Sequence, residues 1–141
     1  MEAVAQLKAN IESKTIEGAD LLLFLDAIQE ISENNEDIQS LLEDMKEEGE
    51  TIILNISITD MNDIVGSLSL IDGKIISKHE RTEPSTLDLF ISEEGVKKIL
   101  RTELTIGQAY SQGLLKAKGN YTKILGLAII LEKITEELNI A

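Results

Sequence analysis

The sequence of 141 residues contains no cysteine and no tryptophan, and it has one proline and one histidine. Without cysteine there is no disulfide framework, no thiolate metal ligand and no thiol nucleophile. The single histidine, His79, leaves little for a histidine-based catalytic or metal site, and its position among charged residues favours an ordinary surface side chain. We therefore expect a protein that is not an enzyme and that uses no cofactor.

Long apolar runs are also missing. The longest, from Ile124 to Leu131, has eight residues, whereas a helix that spans a bilayer needs about 20. The first residues, Met1 to Ala3, lack the basic region of a signal peptide. These absences predict a soluble, cytoplasmic protein.

Basic residues are scarce in the first part of the chain. Residues 1–60 hold 15 acidic residues against 3 basic ones, and the whole chain has a formal net charge of −13. An acidic protein gains nothing from the counterion release that drives nucleic-acid binding. We therefore expect no nucleic-acid partner.

Residues 97–123 have the opposite charge pattern, because they contain six basic residues and only one acidic residue, Glu103. The six are Lys97, Lys98, Arg101, Lys116, Lys118 and Lys123. If they gather at a tunnel mouth, they favour transient contact with an anionic membrane surface or with acidic head groups. The alternative is scattered, solvated charge, and the sequence leaves both open.

Isoleucine and leucine are abundant, with 21 and 20 residues respectively, which is enough to fill a core. The segment 19–32 is apolar on more than one face around Leu21 to Leu25, so it is predicted to be a helix packed on two sides. A following helix, with Asn35 as a candidate N-cap and Gly49 at its end, has a single apolar stripe. That stripe consists of Ile38, Leu41, Leu42 and Met45.

Apolar and polar residues then alternate with period two, which is typical of strands. Residues 52–59, 64–70, 76–78 and 87–91 show this pattern, and Asp72-Gly73 is a strong hairpin signal between the second and third strands. The short connections predict an antiparallel meander of four strands.

Helical signals return at Ser92, a candidate N-cap, and at Thr105, which forms a capping-box pattern with Gln108. A short strand is predicted over 114–118 and a last helix over about 121–138. The order of elements predicts an α+β fold: a five-stranded, mostly antiparallel sheet covered on one face by helices, with an extra N-terminal helical segment.

The last helix is too apolar to be buried on one side only. Two explanations remain open at this point. One is a well-filled core with a dimer interface, and the other is an apolar cavity between sheet and helices that holds a ligand.

Three segments in the second half resemble the sterol carrier protein family, in its type-two sterol-transfer domain. Residues 85–94 are similar to the family's strand-then-helix segment, and residues 102–110 resemble its short helix ending in alanine and an aromatic residue. Residues 113–120 look like its glycine-bounded fifth strand, and an apolar C-terminal helix follows. The resemblance covers about residues 36–138.

The resemblance implies a hydrophobic tunnel between sheet and helices that binds sterols, fatty acyl chains or other lipids without catalysis. It divides the chain into an N-terminal helical extension, residues 1–34, and a sterol-carrier-like lipid-binding domain, residues 35–141. A dimeric structural or regulatory protein with a carrier-like fold and no ligand is the alternative.

The predicted ligand-binding residues are the apolar positions expected to face such a tunnel. They are Leu89, Ile91, Ile99, Leu104, Tyr110, Leu115, Ala117, Ile124, Leu127 and Leu131. Tyr110 is the one side chain among them with a polar tip able to orient a head group, and a buried tyrosine bonded to the backbone is the alternative.

Overall fold

The computed structural model describes residues 1–61, 63–120 and 122–139, without the side chains of residues 124–128, 132, 138 and 139. In this part of the chain three helices precede four strands, and two helices, a strand and a long helix follow. The helices are α1 (Glu2–Glu12), α2 (Asp20–Asn34), α3 (Glu36–Glu47), α4 (Glu93–Leu100), α5 (Ile106–Ser111) and α6 (Thr122–Asn139). The strands are β1 (Ile52–Ile58), β2 (Val65–Ile71), β3 (Lys74–Lys78), β4 (Leu87–Ile91) and β5 (Leu115–Gly119).

The five strands form one sheet in the order β3-β2-β1-β4-β5. Three neighbouring pairs are antiparallel, and β1 pairs with β4 in parallel. The predicted α+β class with a mostly antiparallel sheet is confirmed. The predicted four-strand meander is wrong at β4, because the chain leaves β3 at one edge, crosses the sheet and inserts β4 beside β1.

Local sequence signals produce the turns and helix starts where they were expected. Asp72 and Gly73 have φ values of 52° and 72°, the pair of positive angles that a type I′ hairpin turn requires. Ser92 caps α4, and Thr105 and Gln108 form the reciprocal capping box of α5.

The core lies on one face of the sheet, beneath the helices. Helix α2 packs on β2 and β3. Helix α2 and strand β2 are so close that a β-carbon on Gly66 would overlap the side chains of Leu25 and Leu22. Leu25 and Ile28 are fully buried in the same hydrophobic cluster as the inward-facing residues of the strands. Residues 1–34 thus pack into the same core as the sheet.

The other face of the sheet is partly covered by residues 79–86, which we call the crossing segment. Asn55 and Ser67 are buried on this face, and both bond to Thr82 of the crossing segment. Asn55 donates to the Thr82 carbonyl at 2.9 Å and accepts from its backbone N–H at 2.8 Å, while the Ser67 and Thr82 hydroxyls are 2.7 Å apart. The crossing segment therefore satisfies polar groups that the sheet buries.

Arg81 of the crossing segment binds Glu83 and Asp88, and these two carboxylates raise the pKa of its guanidinium.

Candidate ligand-binding cleft

A cleft of about 350 Å³ lies between α3 and α6, at the start of β1. This volume is near the lower end of the roughly 300–1,000 Å³ typical of small-molecule sites. Its described lining consists of Leu41, Asp44, Met45, Glu48, Glu50, Ile52, Thr122, Lys123, Ile129 and Ile130.

The ends of α3 and α6 are fixed by polar side chains. Asn35 caps α3 by accepting from the backbone N–H of Ile38 at 3.1 Å, and its amide also contacts Glu137 on α6 at 3.4 Å. At the other end of α6, Asn120 accepts from the backbone N–H of Thr122 at 3.2 Å. Of these bonds, the contact between Asn35 and Glu137 links the start of α3 to the last turns of α6.

The inner surface of the cleft belongs to the hydrophobic core. Ile52 and Ile130 are 2% and 1% exposed and are members of the core cluster. Leu41 and Met45 are half-buried residues on the single apolar stripe of α3. Ile129 is 55% exposed at the mouth. An apolar surface therefore runs from solvent to the core.

Charged side chains surround the mouth of the cleft. Asp44 and Glu48 project from the last turns of α3 and are exposed, and Glu50 follows shortly before β1. Lys123 Nζ lies 2.6 Å from Glu50 Oε2, and both side chains are about one-third exposed. The mouth thus carries three carboxylates and one ammonium group.

A second, shallower cleft of about 510 Å³ lies between α1 and α2 and has a mostly polar lining. Here the Glu30 carboxylate accepts from the backbone N–H groups of Ala3 and Val4, at 2.9 and 3.0 Å, and thereby caps α1. Asp26, which also lines this cleft, bonds to Ser77 and His79 of the edge strand region. We regard these polar contacts as links between α2 and its neighbours.

His79 is a surface residue, as its sequence context indicated: its side chain is 52% exposed, and Nε2 lies 2.8 Å from Asp26 Oδ2. The hydroxyl of Ser77 contacts the other oxygen of the same carboxylate at 2.7 Å. Because Asp26 stands between the serine and the histidine, the imidazole does not contact the hydroxyl as a general base must.

The structure places the predicted ligand-binding residues in three environments. Leu89, Ile91, Leu115 and Leu131 are buried in the core, and Ile99, Leu104 and Ala117 are partly buried against it. Tyr110 is 56% exposed, which excludes the buried, backbone-bonded tyrosine considered as an alternative. The side chains of Ile124 and Leu127 lie outside the described residues.

Neither cleft is lined by any of the eight predicted residues whose side chains are described. The cleft between α3 and α6 is lined instead by residues that the sequence analysis did not assign to a site. One signal was available, because Leu41 and Met45 lie on the apolar stripe identified for α3. The pattern did not show that α6 would lie opposite this stripe.

The described part of the chain contains no helix with the length and apolarity needed to cross a membrane. Within the same residues, no three histidine, cysteine, aspartate or glutamate side chains are grouped so that they could hold a metal ion.

The fold is that of known sterol carrier protein 2 domains. The apo structure of sterol carrier protein 2 from Yarrowia lipolytica superposes with a TM-score of 0.53 and 16% identity, over 80% of this chain and 90% of that one. The sterol carrier protein domain 2 of Helicoverpa armigera superposes with a TM-score of 0.53 and 21% identity, over 82% of this chain and 84% of that one. A ubiquinone synthesis protein described as UbiJ-SCP2 superposes with a TM-score of 0.55 and 8% identity, over 79% of this chain and 96% of that one.

Another structural match is a stereoselective inverting sec-alkylsulfatase from Pseudomonas sp. The chain spans only 14% of that enzyme's length, and the TM-score of 0.48 is too low to support an argument. No family model matches the sequence, and no curated protein matches it significantly. The similarity is therefore one of fold.

Proposed function

We propose that the protein binds a hydrophobic, lipid-like ligand in the cleft between α3 and α6 and carries it without catalysis. The observation that supports this most strongly is that Ile52 and Ile130 belong both to the core and to the cleft wall. An alkyl chain that enters past Ile129 would replace water along a continuous apolar surface.

The free energy available to such a ligand is sufficient for useful binding. Removing an alkyl chain from water gains about 0.8 kcal/mol per methylene, so a chain of about a dozen methylenes gains roughly 10 kcal/mol. Lost translational freedom and ordering cost about 4 kcal/mol or more. The remainder of about 6 kcal/mol corresponds to a dissociation constant of some tens of micromolar.

The inner end of the ligand would contact the predicted residues on β4, β5 and α6. Leu89, Ile91 and Leu115 point to the same side of the sheet as Ile52, and Leu131 follows Ile130 of the cleft wall. A fatty acyl, isoprenoid or sterol body would extend from the cleft towards these side chains. The solved structures of the same fold carry the name sterol carrier protein, which agrees with a ligand of this kind.

Two expectations from the sequence remain predictions of this proposal. One is transient contact with an anionic membrane surface through the basic residues of segment 97–123. Within the part of the chain that the structure describes, two of these six bases are in ion pairs, Lys98 with Glu94 at 3.3 Å and Lys123 with Glu50 at 2.6 Å. The other is a homodimer, which native mass spectrometry would detect directly.

Fluorescence titration with an uncharged hydrophobic probe, N-phenyl-1-naphthylamine, tests the proposed site. Ile129→Asp replaces an apolar side chain at the mouth by a carboxylate, and the cost of desolvating this carboxylate disfavours probe entry. We expect probe affinity to fall by about tenfold or more. Ile129 is largely exposed, so the variant should fold.

Ile76→Asp is the matched control, because Ile76 is 41% exposed on β3 and lies outside the cleft. We expect its probe affinity to equal that of the parent protein. Equal losses in both variants, or no probe binding by the parent protein, would refute the proposed site.

A further inference from the structure

The mouth of the cleft between α3 and α6 has more acidic than basic side chains. Asp44, Glu48 and Glu50 contribute three carboxylates, and Lys123 is the one cation among the described lining residues. A ligand whose apolar part lies in the cleft must leave its polar head among these groups. The charge at the mouth therefore bears on which head groups are accepted.

The charge of Lys123 is balanced by a neighbouring carboxylate. Its ammonium group lies 2.6 Å from Glu50 Oε2, so an incoming anion would have to compete with Glu50. Asp44 and Glu48 form no ion pair within the described part of the chain. The uncompensated charge at the mouth is thus that of two carboxylates.

The helix ends do not reverse this balance. Asp44 and Glu48 lie at the C-terminal end of α3, where the aligned peptide dipoles of the helix add partial negative charge. The N-terminal end of α6 carries the opposite partial charge, but the Thr122 N–H already donates to the Asn120 side chain. The three carboxylates and the one ammonium group give the mouth a formal charge of −2, on a protein whose net charge is −13.

We infer that the ligand of this cleft is a single-chain amphiphile with a positively charged amine head, and that matched carboxylate amphiphiles bind more weakly. This inference rests on the proposed function, because it takes the cleft as the binding site. The expected order of affinity at equal chain length is amine, then uncharged alcohol, then carboxylate. The preference decreases as salt screens the mouth.

Displacement of N-phenyl-1-naphthylamine by three amphiphiles of equal chain length tests the inference. Dodecylamine, dodecanol and dodecanoate are compared below their aggregation limits, at pH 7 and low ionic strength. We expect dodecylamine to bind about tenfold more tightly than dodecanoate, and this ratio to fall towards one in 1 M salt. Equal affinities, or tighter binding of dodecanoate, would overturn the inference while leaving the cleft as a lipid site.

Two double variants distinguish the effect of charge at the mouth from the effect of the protein's overall net charge. Asp44→Asn with Glu48→Gln removes the two unpaired carboxylates, and we expect the amine-to-carboxylate ratio to fall to about threefold or less. Glu43→Gln with Glu47→Gln removes the same charge from exposed positions of α3 outside the cleft, and should keep most of the preference.

Equal reductions by the two double variants would show that net charge, and not the mouth, sets the order, and would overturn the inference. Failure of the proposed function is distinguishable, because the probe itself would then not bind to the parent protein.

Discussion

The side chains of Lys123 and Glu50 form an ion pair across the mouth of the cleft, with Nζ 2.6 Å from Oε2. Lys123 lies in the first turn of α6, and Glu50 lies two residues before β1. The pair therefore connects the start of the long helix to the start of a central strand. It also neutralises the one cation among the described lining residues.

The first prediction concerns the strength of this pair. Both side chains are about one-third exposed, so solvent screens the interaction and we expect a coupling free energy of about 0.5–1 kcal/mol. A double-mutant cycle with Lys123→Met and Glu50→Gln, measured by urea unfolding, gives this value. The more exposed pair of Lys98 and Glu94 serves as the comparison, and a larger coupling there would contradict the prediction.

The second prediction tests the packing of α2 on the sheet. Gly66→Ala places a methyl group against Leu25 and Leu22, and we expect the free energy of unfolding to fall by about 1–3 kcal/mol because the contact is overpacked. Gly107→Ala is the control, since its nearest neighbour would be a Thr105 oxygen at 3.9 Å. That variant should be unchanged or more stable by about 0.5 kcal/mol. Similar losses at both glycines would argue against close packing of α2 on β2.

The third prediction concerns the crossing segment. Asn55→Ala removes two hydrogen bonds to the backbone of Thr82 at a site that is 1% exposed. We expect a loss of about 2–3 kcal/mol in the free energy of unfolding, together with faster amide exchange at Thr82. Asn34→Ala is the control: its exposed side chain makes one bond, to the Glu30 carbonyl, and its replacement should cost less than about 1 kcal/mol. Equal losses in the free energy of unfolding for the two variants would show that Asn55 does not anchor the crossing segment.

The fourth prediction concerns the N-terminal helix. Glu30→Ala removes the carboxylate that accepts from the N–H groups of Ala3 and Val4, and losing a helix cap costs about 1 kcal/mol. Hydrogen exchange followed by mass spectrometry should show faster exchange in α1 and unchanged exchange in β1. Glu33→Ala, on the same helix and outside the α1 contact, should leave the exchange of α1 as it is. Unchanged α1 exchange in Glu30→Ala would show that the cap does not stabilise the helix.

Much of the local structure could be predicted because short segments specify it. A serine or threonine before an amphipathic segment caps a helix wherever the helix packs, as at Ser92 and Thr105. Asp72 and Gly73 likewise form their turn from local backbone preferences. The resemblance to sterol carrier proteins was based on three short segments in the right order and spacing, residues 85–94, 102–110 and 113–120, and the fold confirms it.

The pairing of β4 could not be predicted in the same way. Alternation in residues 87–91 shows that one face is buried, but it does not specify which strand lies alongside or in which direction. The parallel pairing with β1 depends on contacts of the crossing segment, such as Thr82 with Asn55, that are distant in sequence.

The cleft was missed for a related reason. The stripe of α3 with Leu41 and Met45 was recognised, but a stripe does not identify the element that packs against it. Tyr110 is a similar case, since the six residues of α5 give too little periodicity to show which side faces solvent.

Native mass spectrometry of the protein as purified tests the central claim, that the cleft holds a lipid-like ligand, most directly. We predict a complex with one small hydrophobic molecule per chain, whose abundance falls strongly in Ile129→Asn, which makes the mouth more polar without adding charge, and stays the same in Ile76→Asn. A chain that carries no such molecule, whether monomer or dimer, and that takes up neither the uncharged probe nor any of the three dodecyl amphiphiles, would contradict the claim.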